Sequence, residues 1–143
     1  MNIENLTYYN VVKFIHLIGM AAWFGTALTV SIIWSRKNTN DKALILDLIT
    51  KVEMPASFFI PLSGVLMSID RMYWLTIGWM QIKICFGLLT VVFTHLSRSK
   101  LIHSDMGNDY IKQKFTMNRN LGLLGLSLII VIVVYPLNQY FYL

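Results

Sequence analysis

Four apolar runs at 8–34, 43–69, 77–96 and 121–141 dominate this chain, and a helix needs about 20 apolar residues to cross the hydrocarbon core of a bilayer. Inside lipid every backbone N–H and C=O must be paired within the protein, a demand that a helix meets by itself. The runs therefore predict an all-α protein: a four-transmembrane-helix bundle, up-down-up-down, with the whole chain (1–143) forming one integral membrane domain. Composition favours lipid over water. Hydrophobic residues make up 56% of the chain and charged residues 13%, against about 25% charged in a soluble domain. The first run exceeds the ~7–15 apolar residues of a signal peptide, and Glu4 and a single lysine, Lys13, come before or at its start. It is expected to be retained as a membrane helix.

The second run is uneven. Its first half carries Asp47, Lys51 and Glu53, and only 54–69 is continuously apolar, so its start is expected to stand in the membrane interface. The connection 70–76 is short enough to force an antiparallel hairpin. The connection 97–120 is long and holds the turn formers Asp105, Gly107, Asn108 and Asp109; a short interfacial helix is expected over 110–117. Small residues, among them Gly19, Ala22, Gly64, Gly87, Gly122 and Gly125, allow helices to approach closely. Pro55 and Pro61 are candidate kinks in the second helix.

Charge sets the expected orientation. The net charge of +5 does not mark a nucleic-acid-binding face, because the basic residues fall between the apolar runs. Arg36, Lys37 and Lys42 lie in the first connection, and Arg98, Lys100, Lys112, Lys114 and Arg119 in the third. The opposite face has Arg71, with Lys13 and Lys83 just inside the helices. The positive-inside rule then places the first and third connections in the cytoplasm and both termini outside, as in a bacterial inner membrane. Tyr8, Tyr9, Trp74, Trp79, Tyr140 and Tyr142 would form the outer aromatic belt, and Trp34 the inner one. The lone cysteine, Cys85, lies within an apolar run and forms no intramolecular disulfide.

Ionisable residues inside a membrane span are expensive and are functional candidates for that reason. His16 lies about two turns into the first helix and shares a face with Val12, Gly19, Met20 and Trp23. Its imidazole suits an axial ligand for haem iron; the plainer alternative is a hydrogen bond that ties two helices together. Lys83 lies at similar depth in the third helix. It snorkels to the interface, holds a carboxylate such as a haem propionate, or serves as a proton donor. Met67 and Met80 are sulfur candidates for a second axial position, although a methionine is more often packing than ligand. His95 stands about 18 Å from the level of Lys83, too far to share one iron with His16, and reads as an interfacial residue or as part of a second site.

These residues also form an order that resembles the HemJ-type protoporphyrinogen oxidases and, more loosely, the CopD-like copper-resistance membrane domains. The likeness runs through Lys13, His16, Trp23 and Phe24; Pro55–Ala56 and Gly64; Gly78–Trp79, Lys83 and His95; and Asn118 ahead of an aliphatic run that stops at Pro136. It implies haem b held by His16, Lys83 as a functional, catalytic lysine, and oxidation of protoporphyrinogen; with the methionines Met67 and Met80 and with Trp23 on the His16 face, these make up the expected cofactor-binding set. The chain departs from the pattern. Ser31 and Ile32 stand where the family has proline and arginine, Ser57 stands where it has methionine, and Arg119 stands where it has glutamate. Loss of an arginine and a glutamate together implies that an internal ion pair or proton path is absent. A divergent haem protein without the oxidase chemistry fits these departures equally well. Copper(I) handling through methionine and a non-catalytic assembly subunit, homo-oligomeric or bound to a membrane partner, are the competing functions. No glycine-rich phosphate loop, HExxH helix or nucleophile elbow is present in the sequence.

Overall fold

The computed structural model describes residues 3–36 and 41–141, with the backbone alone for 5, 70 and 136–141. Lys37 and Tyr142 of the expected interfacial sets lie outside the described residues, as does the side chain of Tyr140. Everything described is helical or turn, with no strand among the described residues. The elements are α1 (Ile3–Ser35), α2 (Lys42–Leu48), a π-helical turn (Ile49–Glu53), α3 (Met54–Ser68), a 3-10 segment (Ile69–Thr76), α4 (Gly78–His103) and α5 (Asp109–Phe141). Three helices are long and apolar enough to cross a membrane: α1 over Leu6–Ser35, α4 over Gly78–His103 and α5 over Asp109–Tyr135. α3 alone is shorter, but α2, the π turn and α3 follow one another as a continuous helical rod.

Two helices depart from expectation in the same direction. α4 runs on to His103 and α5 starts at Asp109, so the link between them is short, and the region expected to be an interfacial helix over 110–117 is the first turns of α5. Asn108 Oδ1 accepts the Tyr110 N–H at 2.9 Å, closing the open end of α5. Asp105 Oδ1 accepts the Gly107 N–H at 2.8 Å and tightens the turn before it. Helices that continue past the apolar zone carry charge there, which hydropathy scores as loop.

The π turn has a local cause. Pro55 sits in the first turn of α3, where its ring would crowd the carbonyl of residue 51 in a regular helix. A widened turn just before it relieves that contact. The wider turn also controls facing. Ile45, Ile49, Glu53 and Ser57 recur every four residues and all are buried. That spacing drifts by about 40° per step on a 3.6-residue helix, and the π turn takes out part of the drift and keeps Glu53 on the core side.

Lipid offers helices little hydrophobic reason to associate, so packing and internal hydrogen bonds must do it. α4 packs most extensively on α5, and α1 on α3. The contact faces are small or hydroxylic: Ala27, Ala56, Ser57, Thr90, Thr94 and Ser97 are all buried. The hydroxyls of Thr90, Thr94 and Ser97 donate to the carbonyls of Phe86, Thr90 and Phe93 at 2.8–2.9 Å, so they enter the core without an orphaned donor. A Cβ at Gly19 would lie 3.1 Å from Ile60 Cγ1, and one at Gly125 would run into Thr90 Oγ1; glycine sets the α1–α3 and α4–α5 approach at these points. Large apolar side chains cover the outside of every long helix, including Phe14 on α1, Phe58 and Val65 on α3, Leu88 on α4 and Val131 on α5.

The two ends of the molecule differ. At the loop end, Val30, Ile45, Ile49, Leu101 and Phe115 form a buried cluster. Trp34 meets Phe115 edge-on at 4.6 Å and donates its indole N–H to Thr116 Oγ1 at 2.8 Å. At the hairpin end, Arg71 lies over the rings of Tyr9 and Trp74 at 4.1 and 4.8 Å. This brings together three residues expected on one membrane face. Between that aromatic cap and the core the packing thins: no described residue of α4 before Thr90, or of α3 beyond Ser63, is buried.

Candidate functional site

The polar residues inside the bundle form two layers. The first lies in the hairpin-end half. His16 is half-buried on α1, and its ring faces α3 rather than lipid. Nδ1 lies 2.8 Å from Ser63 Oγ and 3.1 Å from the Ile60 carbonyl oxygen, while the Ser63 hydroxyl donates to that same carbonyl at 3.0 Å. The carbonyl can only accept, so the network is satisfied with the imidazole proton on Nδ1, a tautomer inferred from partners. Nε2 then carries the lone pair. A side chain at Gly64 would approach His16 Cε1 at 3.8 Å, so glycine there leaves the ring edge clear. Lys83 is half-buried on α4.

The second layer lies deeper towards the loop end. Seven residues separate His16 from Trp23 on α1, about 10 Å along the axis. Here Arg119 Nη1 and Nη2 donate to Glu53 Oε2 and Oε1 at 2.7 and 2.6 Å. Both side chains are almost fully enclosed, at 5% and 0% exposure. This parallel fork is the strongest geometry for a carboxylate and a guanidinium. Beside it Trp23, Ala27, Thr94, Asn118, Gly122 and Leu126 line a small void with Arg119. Among the described residues, Arg119 Nε is the buried side-chain donor left without a partner.

The sequence-derived candidates divide between the layers. His16 and Lys83 are half-buried on α1 and α4. Met67 and Met80 are half-buried on α3 and α4. Trp23 belongs to the other layer: it is 2% exposed and packs with Ala27, Ala56 and Leu126. His95 is exposed on α4, as expected of a residue outside the site, and Cys85 is exposed.

Three expectations are overturned. Arg119 is not a loop charge that marks orientation; it lies inside α5 with its charge neutralised by Glu53. An internal ion pair is present rather than absent, with the guanidinium following the Asn118 position and the carboxylate supplied from the π turn. Glu53 likewise is buried rather than interfacial. The sequence holds a signal for both. Phe115, Asn118, Gly122 and Leu126 repeat at three and four residues with Arg119 among them, and Glu53 continues the series Ile45, Ile49. Ser63 and the Ile60 carbonyl carry no such signal, because their role depends on a contact with α1 across 44 residues of chain.

Among the described residues, no group of three or more His, Cys, Asp and Glu side chains gathers as a metal site. Comparison of the chain with protein-family models, with curated proteins and with solved structures found no match.

Proposed function

We propose that this chain is a four-span integral membrane protein that binds haem b through His16 in the hairpin-end half of its bundle. The fourth span is the rod formed by α2, the π turn and α3, whose outward face carries Phe58, Leu62 and Val65 to lipid. The basic connections stand on the cytoplasmic side and both termini outside, in keeping with the charge bias.

The observation that carries the haem reading is the His16 hydrogen-bond set. Histidines that ligate metals typically donate their second ring N–H to a carbonyl or a polar side chain, which fixes the tautomer and the ring plane. His16 has that arrangement through Ile60 and Ser63, with Nε2 left as the ligating nitrogen. The half-packed zone around it supplies an open side. A porphyrin here would be held by His16, with Lys83 available to a propionate and Met67 or Met80 as sulfur donors. Bound haem would supply one-electron chemistry, while the protein supplies ligand, orientation and charge.

The test is the absorbance spectrum of the detergent-purified protein, oxidised and then reduced, with haemin added where the preparation is colourless. A Soret band that His16→Ala abolishes supports the proposal. Wild-type protein that gives no Soret shift on haemin addition overturns it. A Soret band without conversion of protoporphyrinogen to its fluorescent product keeps haem binding and removes the oxidase.

A further inference from the structure

The aromatic cap at the hairpin end is used by neither the haem proposal nor the ion pair. The 3-10 segment Ile69–Thr76 breaks the path from α3 to α4, and helical geometry is interrupted at Arg71 (φ −140°, ψ 46°). Arg71 reaches α1, where its Cζ lies over the Tyr9 ring at 4.1 Å, and Trp74 meets it from the segment itself at 4.8 Å. Tyr9 and Trp74 stand edge-on at 6.3 Å, and Tyr73 backs Trp74 at 6.2 Å. Two elements thus hold one half-buried guanidinium against two ring faces. A ring face attracts the charge but is no strong acceptor for the five N–H donors of a guanidinium. Among the described residues no carbonyl or side chain accepts from Arg71, and the two ion pairs, Lys51–Asp47 and Arg119–Glu53, lie elsewhere. Depth supplies the setting. Tyr9 stands in the first turn of the span that begins at Leu6, and Arg71 and Trp74 come just before the span that begins at Gly78. The cap therefore lies where hydrocarbon gives way to head groups, the level at which tyrosine and tryptophan collect. Ile69, Met72 and Tyr73 beside it are exposed, an apolar surface suited to acyl chains.

We propose that Arg71, held on its Tyr9–Trp74 shelf, is a binding site for the phosphate group of one phospholipid, whose chains lie against the exposed apolar residues of the same segment. The ligand must carry negative charge, accept from a planar fork of N–H donors, and offer apolar surface at the same level. Phosphate oxygens meet the first two conditions through charge-assisted, two-pronged hydrogen bonds, for which arginine is the fitting partner. Acyl chains meet the third; a free phosphate has none. The two rings already restrict the guanidinium, so little further side-chain entropy is lost when the lipid binds. The site rests on the membrane-spanning reading of the chain and is independent of haem.

The test is native mass spectrometry of the full chain released from detergent, after titration with phosphatidylglycerol, with diacylglycerol of the same chains, and with glycerol phosphate. Phosphatidylglycerol is expected to be retained, diacylglycerol roughly 10-fold more weakly, as the loss of hydrogen bonds to a charged group implies, and glycerol phosphate not at all. Arg71→Leu is expected to weaken retention of phosphatidylglycerol by a similar factor of roughly 10, while Lys112→Leu, at the opposite end of the molecule, leaves the tightest-bound lipid in place. Equal retention of phosphatidylglycerol by Arg71→Leu and the wild type, equal retention of diacylglycerol and phosphatidylglycerol by the wild type, or retention of glycerol phosphate in place of the lipid overturns the site. The unfolding midpoint of Arg71→Leu is read alongside; where that variant does not fold, the wild-type comparison of the two lipids decides. Protein that stays in solution without detergent overturns the membrane reading and the site together, whereas detergent-dependent protein whose bound lipid ignores both head group and Arg71 overturns the site alone.

Discussion

The loop-end and hairpin-end halves of this molecule are built from the same helices and similar residues, yet one is closed and the other is not. The loop-end half buries Val30, Ile45, Ile49, Leu101 and Phe115 together and locks Glu53 to Arg119 beside them. The hairpin-end half leaves His16, Lys83, Met67 and Met80 half-covered. Both place charge or potential charge on helices apolar enough to cross a membrane or packed against them, where such groups are expensive. The loop-end half neutralises its charges against each other. The hairpin-end half fixes one ring nitrogen and leaves the other nitrogen and the lysine available. The first arrangement holds helices in register, and the second suits a ligand.

Breaking the ion pair gives the largest expected effect. Arg119→Leu or Glu53→Leu alone strands a buried charge and is expected to cost roughly 3–5 kcal/mol, seen as a large fall in the unfolding midpoint in detergent. Replacing both with leucine is expected to recover most of that loss, since apolar pairs often substitute for buried ion pairs at little net cost. Equal destabilisation by the double and single replacements would show that the pair is not the lock.

Truncation within the closed half comes next. Phe115→Ala removes a fully buried ring that Trp34 meets edge-on and is expected to cost about 3 kcal/mol. The same cut in the open half sharpens the comparison. Phe14 is 64% exposed, so Phe14→Ala is expected to change stability by about 0.5 kcal/mol or less. Similar losses at the two positions would remove the distinction between the halves.

Ser63→Ala separates positioning from stability. Loss of one partner of His16 Nδ1 is expected to cost only about 1 kcal/mol of stability, yet to weaken haem binding by roughly 10–100-fold, as outer-shell changes at metal sites do. Titration of the variant with haemin, alongside its unfolding curve, gives both numbers. Unchanged haem affinity would reduce the Ser63 contact to helix-to-helix adhesion.

The fold was legible where hydropathy and helix period carry the information. The apolar parts of α1, α4 and α5 stand in the runs, and Val12 and Trp23 are both buried on the face predicted for them. The 97–120 region was misassigned because hydropathy weighs a charge without its partner. Lys112 and Lys114 are polar because the first turns of α5 leave the apolar zone, while Arg119 is polar because Glu53 receives it. The partner lies 66 residues away, beyond any local pattern. The π turn was hidden for a related reason: Pro55 announces a disturbance, but not whether it becomes a kink or a widened turn. His16 was recognisable as a candidate from its depth alone, whereas the hydrogen bonds that orient it needed the packing of α1 on α3.

The division of labour between the two halves is tested most directly by haemin titration, followed at the Soret band, of His16→Ala beside the paired Glu53→Leu/Arg119→Leu protein. The account predicts that the first loses the Soret shift while the second, refolded around an apolar pair, keeps it. Retention by the first, or loss by a stably folded second, would contradict it.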